Sequence, residues 1–251
     1  MPSIPIDVLR EILEHVDKND LATLCRVNKI FCSCSQDVLY REIEYEVTDV
    51  IQTLARSTDL ARRVRSFHTS YDHQELATAL RNMSSLRRLG CEGYNYDASI
   101  LDGCTFELDS FETTFPYSES LHKFLNGQSS LTEFIIYHGA EHPPPFKETF
   151  LPNLTRVNAE PCWVRMLIPG RPVREVVVYD PWSEEDPIDF SIFTLSTAPI
   201  RKLHIAYRLL YPTPGSHLAS IFPFLEHLTI EAFDVNFSVR IPPLYLSDNR
   251  C

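Results

Sequence analysis

The chain has 251 residues, of which 44% are apolar, a balance typical of a folded protein with a sizeable core. Its formal charge is −11, so we expect neither nucleic acid nor a membrane as a partner, because nucleic acids and anionic bilayers are held mainly by Lys and Arg. The sequence shows neither a membrane-spanning apolar run nor the pattern of a signal peptide.

Seven cysteines form an odd-numbered set without paired spacing, and several fall inside predicted helices or strands. Free Cys in such places behaves as a small apolar residue, which favours a reducing compartment, the cytoplasm or the nucleus. Cys32 and Cys34 lack a second Cys/His pair at zinc spacing, and no other ligand pattern stands out. We therefore expect no metal and no cofactor.

Residues 4–43 form the first predicted module, which consists of three short helices. The first begins after Pro5 and carries apolar residues at the i, i+3, i+4, i+7 spacing of one helix side. Residues 17–20 interrupt this pattern, and a second helix and then a third follow, ending near Tyr40. So short a module has a small core, so part of its apolar surface should meet a partner or the rest of the chain.

The string IPIDVLREILEHVDKNDLATLCRVNKIFCSCSQDVLYREI resembles an F-box, the motif that docks on the Skp-family adaptor of cullin–RING ubiquitin ligases. Asn28 stands where Cys or Ser is commoner, and Phe31 stands where Trp is frequent. The resemblance implies that the adaptor contacts are made by Pro5, Leu9, Ile12, Leu13, Leu21, Leu24 and Val27.

From residue 64 onward an apolar triplet recurs with the loose spacing Leu-x-x-Leu-x-Leu. Successive first positions are 22, 22, 23, 23, 19, 27 and 25 residues apart, in or near the range of leucine-rich repeats. Each copy predicts a turn that enters a short strand with alternating inward side chains. The copies are Val64/Phe67/Thr69, Leu86/Leu89/Cys91, Leu108/Phe111/Thr113, Leu131/Phe134/Ile136, Leu154/Val157/Ala159, Val173/Val176/Val178, Ile200/Leu203/Ile205 and Leu225/Leu228/Ile230.

Parallel strands need return connections across the back of the sheet, and helical patterns between the triplets fit that role. The ranges are 49–57, 74–82, 119–126, 162–167 and 217–221. Further strands are predicted at residues 43–47 and after Ile230. The sequence thus predicts an α/β fold: a three-helix F-box at residues 1–43, then an irregular leucine-rich-repeat solenoid at residues 44–251 with a parallel sheet of about eight or nine short strands.

A doubly wound α/β enzyme is the rival interpretation. Its phosphate or cofactor site would need a glycine-rich turn, whereas the chain has seven Gly and none of the common nucleotide or nucleophile motifs. No catalytic set emerges from the spacing of the nine His residues. We expect a binding protein and not an enzyme.

Outward strand positions line up across the triplets, and two interpretations of this surface stay open. Alternating charges such as Glu133, Arg156, Glu175 and Lys202 would neutralise one another across strands. An apolar and aromatic patch would instead be the centre of a target-binding face, because Tyr favours interfaces. That patch consists of Ile135, Tyr137, Val177 and Tyr179 beside Glu160, with proline-containing insertions at 141–145 and 180–187 on its rim.

The layout is similar to fungal F-box proteins with leucine-rich repeats, in part through the exit Leu39-Tyr40-Arg41-Glu42-Ile43. The resemblance implies a substrate receptor of a Skp–cullin–F-box ubiquitin ligase: the F-box binds the Skp-family adaptor, and the repeats bind an unknown protein target. One alternative is an F-box scaffold that directs no degradation. The other, from a different class, is an α/β hydrolase-like enzyme with a non-standard site.

Overall fold

The computed structural model describes residues 4–44, 48–70, 73–93, 97–137, 146–147, 149–179, 188–210, 215–232 and 235–240. The two insertions predicted at 141–145 and 180–187 lie outside these ranges, as do residues 45–47 of the first predicted strand. The chain divides into two compact units, residues 1–108 and 109–251. Among the described residues, no helix combines the length and the hydropathy needed to cross a bilayer.

Three helices open the first unit and confirm the three that the sequence predicts. They are α1 (Ile6–Leu13), α2 (Lys18–Leu24) and α3 (Lys29–Leu39). Asn28 caps α3, because its side-chain oxygen accepts hydrogen bonds from the N–H groups of Ile30 and Phe31 at 2.9 and 3.0 Å. Two amides that lack partners within the helix are satisfied in this way, which explains an Asn at this position.

The rest of the first unit contains a three-stranded parallel sheet, β1 (Glu42–Glu44), β2 (Ser66–Thr69) and β3 (Arg88–Cys91), paired in that order. Phe67 points inward and lies opposite Ile43 on one side and Leu89 on the other. The connections are helical: α4 (Thr48–Arg56), α5 (Thr58–Ala61) and α6 (Leu76–Asn82), with a 3-10 turn at Ala98–Leu101 after β3.

The second unit contains six parallel strands, each paired with the next in the chain, and a seventh that turns back. The parallel strands are β4 (Ser110–Thr113), β5 (Glu133–Ile136), β6 (Arg156–Ala159), β7 (Glu175–Val178), β8 (Lys202–Ala206) and β9 (His227–Ala232). The last strand, β10 (Val235–Arg240), pairs antiparallel with β9. The helices of the second unit are α7 (Glu119–Asn126), α8 (Pro161–Leu167), α9 (Tyr207–Leu210) and α10 (Gly215–Ile221), with a 3-10 helix at Phe190–Leu195.

Every predicted triplet coincides with a strand, so the α/β prediction is confirmed, with three parallel strands described in the first unit and six in the second. The first and second positions of the first seven triplets are at most 5% exposed. Aromatic contacts extend this packing in the second unit, where Phe134 stacks on Phe111 at 5.7 Å between ring centroids and meets Trp163 edge-on at 5.9 Å. Side chains at alternate positions therefore fill the core, and those between them face outward.

A double hydrogen bond recurs at the entrances of the strands. The carbonyl of Thr132 accepts from the N–H groups of Thr155 and Arg156 at 2.9 and 3.0 Å. The carbonyl of Arg174 accepts in the same way from the N–H groups of Arg201 and Lys202, at the entrance of the strand that follows β7. The same double acceptor recurs at Arg41 and Arg65 in the first unit and at Asp109, Thr155 and Arg201 in the second. Successive strand entrances are thus joined by one repeated backbone arrangement.

Candidate functional site

The three N-terminal helices share a small core of their own. Leu9, Leu13, Leu21 and Cys34 are its buried residues, and Leu24 packs against them with four other partly buried side chains. Three of the seven predicted adaptor contacts, Leu9, Leu13 and Leu21, therefore lie inside the module with exposures of 6%, 1% and 2%. In this structure they hold the helices together.

The other predicted adaptor residues are more accessible. Pro5 is exposed, and Ile12 and Val27 are 49% and 60% exposed, which is unusual for β-branched aliphatic side chains. Leu24 is partly buried. The predicted set thus divides into a packed group and a surface group, and only the surface group can contact a partner without disturbing the core.

Large exposed apolar side chains are concentrated in this module. Among the described residues, nine are strongly exposed, and six of these lie between residues 4 and 30: Ile4, Ile6, Val8, Ile12, Val27 and Ile30. The apolar stripe of α1 in the sequence is buried at Leu9 and Leu13, whereas its member Ile12 lies at the exposed edge. A second spacing, from Val8 to Ile12 four residues later, marks the side that faces outward. Ile6, Val8 and Ile30 are additions that the sequence did not single out.

Ion pairs connect these helices with each other and with the segment after α5. Asp37 on α3 binds Arg10 on α1 at 3.0 Å and also pairs with Arg63. Arg63 further donates to the carbonyl of Ser33 at 3.1 Å. Glu14 and Arg41 form another link at 2.5 Å. Ion pairs therefore hold in place the helices that carry the exposed apolar residues.

The second candidate site is the outward face of the strands in the second unit. The register of β5, β6 and β7 aligns Ile135 with Asn158 and Asn158 with Val177. Ile135 and Val177 are half-buried, and Asn158 is 8% exposed although it points to this face. Four of the five predicted target-binding residues are therefore partly accessible: Ile135, Tyr137, Val177 and Tyr179.

The rings of Tyr137 and Tyr179 lie beside each other, with centroids 5.3 Å apart and planes at 29°. Tyr137 follows β5 and Tyr179 follows β7, and β6 runs between those two strands. Adjacent strands are about 4.8 Å apart, so alternate strands are roughly 9.6 Å apart and the rings must lean toward each other over β6. The lean helps to account for the burial of Asn158.

A hydrogen-bonded chain runs through these side chains. The Tyr137 hydroxyl donates to Glu112 Oε1 at 2.6 Å, and further hydrogen bonds join Tyr137 to Tyr179 and Tyr179 to Asn158. Burial, followed by the bonds to Glu112 and Tyr179, raises the pKa of Tyr137 above its ordinary range, and burial also raises the pKa of Tyr179.

Glu160, expected beside the tyrosines as an accessible acid, is 7% exposed. It precedes α8, and its carbonyl accepts from the N–H groups of Trp163 and Val164 at 3.1 and 3.0 Å. The start of α8 therefore fixes its backbone and limits its accessibility.

The charged row predicted on the same face is present as a series of ion pairs. Arg156 binds Glu133 at 2.9 Å and Glu175 at 3.2 Å, and Glu175 also binds Lys202 at 3.1 Å. The self-neutralising interpretation therefore holds for this row. It does not describe the neighbouring positions around the tyrosines, for which the target-binding interpretation stays a prediction.

Residues 1–42 match the F-box domain family. The match supports an F-box protein and the adaptor-binding part of a substrate receptor, since F-box domains typically bind the Skp-family adaptor within cullin–RING ligases. It covers the three helices and their exposed apolar residues. No curated protein matches the chain.

Proposed function

We propose that this chain is the substrate-recognition subunit of a Skp–cullin–F-box ubiquitin ligase. The concentration of exposed apolar side chains on the N-terminal helices is the observation that carries the proposal. Exposed clusters of this kind on a folded protein mark interaction sites, and the F-box match gives the class of partner.

In this proposal the adaptor contacts the surface group, Pro5, Ile12 and Val27, together with Ile6 and Val8. Leu9, Leu13 and Leu21 act indirectly by keeping the helices in place. Burying the exposed parts of Ile12 and Val27, about half of each side chain, would contribute roughly 1.5 to 3 kcal/mol to binding before the entropic cost of association.

The remainder of the chain would be an irregular leucine-rich-repeat solenoid that presents the target. The triplet spacing and the recurring double hydrogen bond at the strand entrances support repeated units. The fungal type rests on the resemblance of residues 39–43. Free thiols at all six described cysteines agree with a cytoplasmic or nuclear location, which stays a prediction.

The chain would contribute proximity and no chemistry of its own, because holding a target Lys near a charged ubiquitin carrier raises its effective concentration. A hydrolase-like site would instead need a His and a carboxylate converging in a deep pocket. In the part of the chain that the structure describes, two close His–carboxylate contacts lie on the strands, His68 with Glu92 at 3.4 Å and His204 with Glu231 at 3.5 Å; they belong to separate units, and each joins neighbouring strands. This arrangement favours a binding role.

Adaptor capture tests the proposal. We expect the Ile12→Asp and Val27→Asp variants to lose adaptor binding at least tenfold while retaining the unfolding transition of the parent chain. Leu195→Asp is the matched control, because it places the same charge on another exposed apolar residue outside the F-box. Adaptor binding that is retained by both F-box variants would refute the proposal. Leu9→Asp and Leu13→Asp are poorer tests, since both place a charge inside the core.

A second assay separates a receptor from a scaffold. The reconstituted complex is supplied with ubiquitin and with proteins captured through residues 44–251, and transfer of ubiquitin to them is measured. Adaptor binding without such transfer would favour the scaffold.

A further inference from the structure

Two cysteine side chains meet at the corner between α2 and α3. Cys25 directly follows α2, and Cys32 is the fourth residue of α3. The Cys25 thiol donates a hydrogen bond to the carbonyl oxygen of Cys32 at 3.9 Å, and a further hydrogen bond joins the two thiols. The turn between the helices therefore brings two sulfur atoms close together although their residues are well separated in the chain.

Both thiols are accessible to a small reagent, because Cys25 and Cys32 are partly exposed. Three other described cysteines are buried: Cys34, Cys91 and Cys162. Burial, followed by the neighbouring Cys32, raises the pKa of the Cys25 thiol. Little of Cys25 is therefore thiolate at neutral pH, and we expect Cys32 to react first with an oxidant.

The residues between the two thiols include part of the proposed adaptor surface. Val27 and Ile30 are 60% and 56% exposed, and Asn28 caps α3 between them. A covalent bond from Cys25 to Cys32 would enclose these three residues in a short loop. Such a loop has few bonds that can absorb a change in geometry, so a reaction of the thiols should alter the adaptor surface.

We propose that Cys25 and Cys32 are a site of reversible oxidation, at which hydrogen peroxide converts the two thiols into a disulfide and thereby weakens adaptor binding. A disulfide in the cytoplasm or nucleus is usually transient and is typical of redox sensing, which fits such a role. The inference rests on the proposed function for its effect on the adaptor, whereas formation of the disulfide does not depend on it.

The reaction consumes one peroxide and yields two waters. The Cys32 sulfur attacks one peroxide oxygen, the O–O bond breaks, and the departing oxygen takes up the thiol proton and leaves as water. Cys32 is then a sulfenic acid. The Cys25 sulfur attacks the Cys32 sulfur, the S–S bond forms, and the S–O bond breaks as the hydroxyl leaves with the Cys25 proton. Two electrons pass from the thiols to the peroxide, and thiol–disulfide exchange with dithiothreitol reverses the change.

The disulfide requires a different arrangement of the corner. Its sulfur atoms would lie about 2.05 Å apart, whereas the Cys25 thiol now points to a backbone oxygen of Cys32. Closing the bond breaks this hydrogen bond and draws the first turn of α3 toward the end of α2. Residues 26–31 must take up the displacement, which moves Val27 from its place on the adaptor surface.

Peptide mapping tests the disulfide. The full chain is treated with hydrogen peroxide, the excess is removed with catalase, and the remaining thiols are blocked before digestion with trypsin. Trypsin cleaves between the two cysteines, so the disulfide links peptide 19–26 to peptide 30–41. We expect this linked pair, with fragmentation that assigns the bond to Cys32 and not to Cys34, and its disappearance after dithiothreitol.

Adaptor capture on the same samples tests the effect of the bond. The oxidised chain should bind the adaptor at least threefold more weakly than the reduced chain, and dithiothreitol should restore binding. Cys25→Ser and Cys32→Ser should bind as the reduced parent chain does and should not respond to peroxide. Cys104→Ser is the matched control, because it removes a partly exposed thiol outside the F-box and should leave the response of the parent chain intact.

Three results would overturn the inference: no linked pair of peptides, a bond to Cys34 instead, or a fully formed disulfide that changes adaptor binding less than threefold. A loss of binding that persists in dithiothreitol, or that the Cys25→Ser and Cys32→Ser variants share, also overturns it, because oxidation elsewhere would then be the cause. Failure of the proposed function is distinguishable. A reduced chain that captures no adaptor refutes the ligase role, whereas peptide mapping alone decides whether the disulfide forms.

Discussion

The stacked rings of Tyr137 and Tyr179 bridge two strands that are not neighbours, and β6 passes beneath them. This arrangement buries part of each ring, and the Tyr137 hydroxyl donates a hydrogen bond to the carboxylate of Glu112. The pair should therefore affect how the free energy of unfolding depends on pH, because the protonated phenols are favoured in the folded chain.

The free energy of unfolding should fall at high pH through these two residues. Burial raises their pKa in the folded state, so the folded chain keeps protons that the unfolded chain releases near the ordinary tyrosine pKa of about 10. The stabilisation is complete below about pH 10 and is lost as the pH rises toward the folded-state values. Urea unfolding between about pH 9 and 11.5 should show a shallower decline for the variant carrying Tyr137→Phe and Tyr179→Phe. Identical slopes would contradict the assignment.

Asp37 should be among the more important charged residues of the first unit. Its carboxylate pairs with Arg63, whose side chain is 24% exposed and whose Nε lacks a hydrogen-bond partner. In Asp37→Ala the Arg63 guanidinium would keep its bond to the Ser33 carbonyl, but its positive charge would be poorly solvated and without the carboxylate of Asp37. We therefore expect the free energy of unfolding, measured in urea, to fall by about 2 kcal/mol.

Arg10→Ala provides the comparison for Asp37. The side chain of Arg10 is 52% exposed, so removing it should cost under about 1 kcal/mol. Glu11→Ala, an exposed carboxylate on the same helix, serves as a control for loss of negative charge. Equal effects of Asp37→Ala and Arg10→Ala would show that Arg63 is not the partner that matters.

A glycine on β3 makes room for a histidine on β2. Gly90 lies opposite His68, and a Cβ atom at Gly90 would stand 2.4 Å from His68 Nδ1. Gly90→Ala should therefore displace the imidazole, disturb its contact with Glu92 and destabilise the chain by about 2 kcal/mol.

The same substitution should reverse its sign when His68 is removed. In a His68→Ala background the added Cβ meets no ring, and alanine costs less conformational entropy than glycine in a strand, so Gly90→Ala should stabilise by about 0.5 kcal/mol. Thermal unfolding of the four chains of this cycle measures the coupling. Additive effects would mean that the glycine is not required by the ring.

The strands could be predicted from the sequence because each of the first seven triplets places two buried residues at the two-residue alternation of a β-strand, as at Phe134 and Ile136. Short helices such as α5, four residues long, lack enough turns to show a period and were not predicted. The adaptor surface was only partly predictable. The strongest helical stripe combines Leu9 and Leu13, which are buried, with Ile12, which is 49% exposed, so its period alone does not separate the core from the adaptor surface.

The contact between Tyr137 and Tyr179 was beyond sequence reasoning for a different reason. Alignment of the triplets places both residues in one row, but β6 lies between their strands and separates the two backbones by more than a ring contact allows. Only the inclination of the side chains brings the rings together, and the hydrogen bond from Tyr137 to Glu112 is part of that arrangement. The burial of Glu160 likewise comes from the start of α8, which the pattern placed one residue later.

Cys104 should react slowly with alkylating reagents although it is partly exposed. Burial, opposed by the nearby Arg81 and assisted by Asp102, raises the pKa of its thiol to about 12 from an ordinary 9.0. At pH 8 the thiolate fraction is then about a thousandfold below that of the unfolded chain, and the higher nucleophilicity of the more basic thiolate recovers roughly twentyfold. We expect iodoacetamide to modify Cys104 about fiftyfold more slowly in the folded chain than in urea, measured by mass spectrometry of its peptide. Asp102→Asn should lower the pKa and speed the reaction, and a rate equal to that of the unfolded chain would show that burial does not protect this thiol.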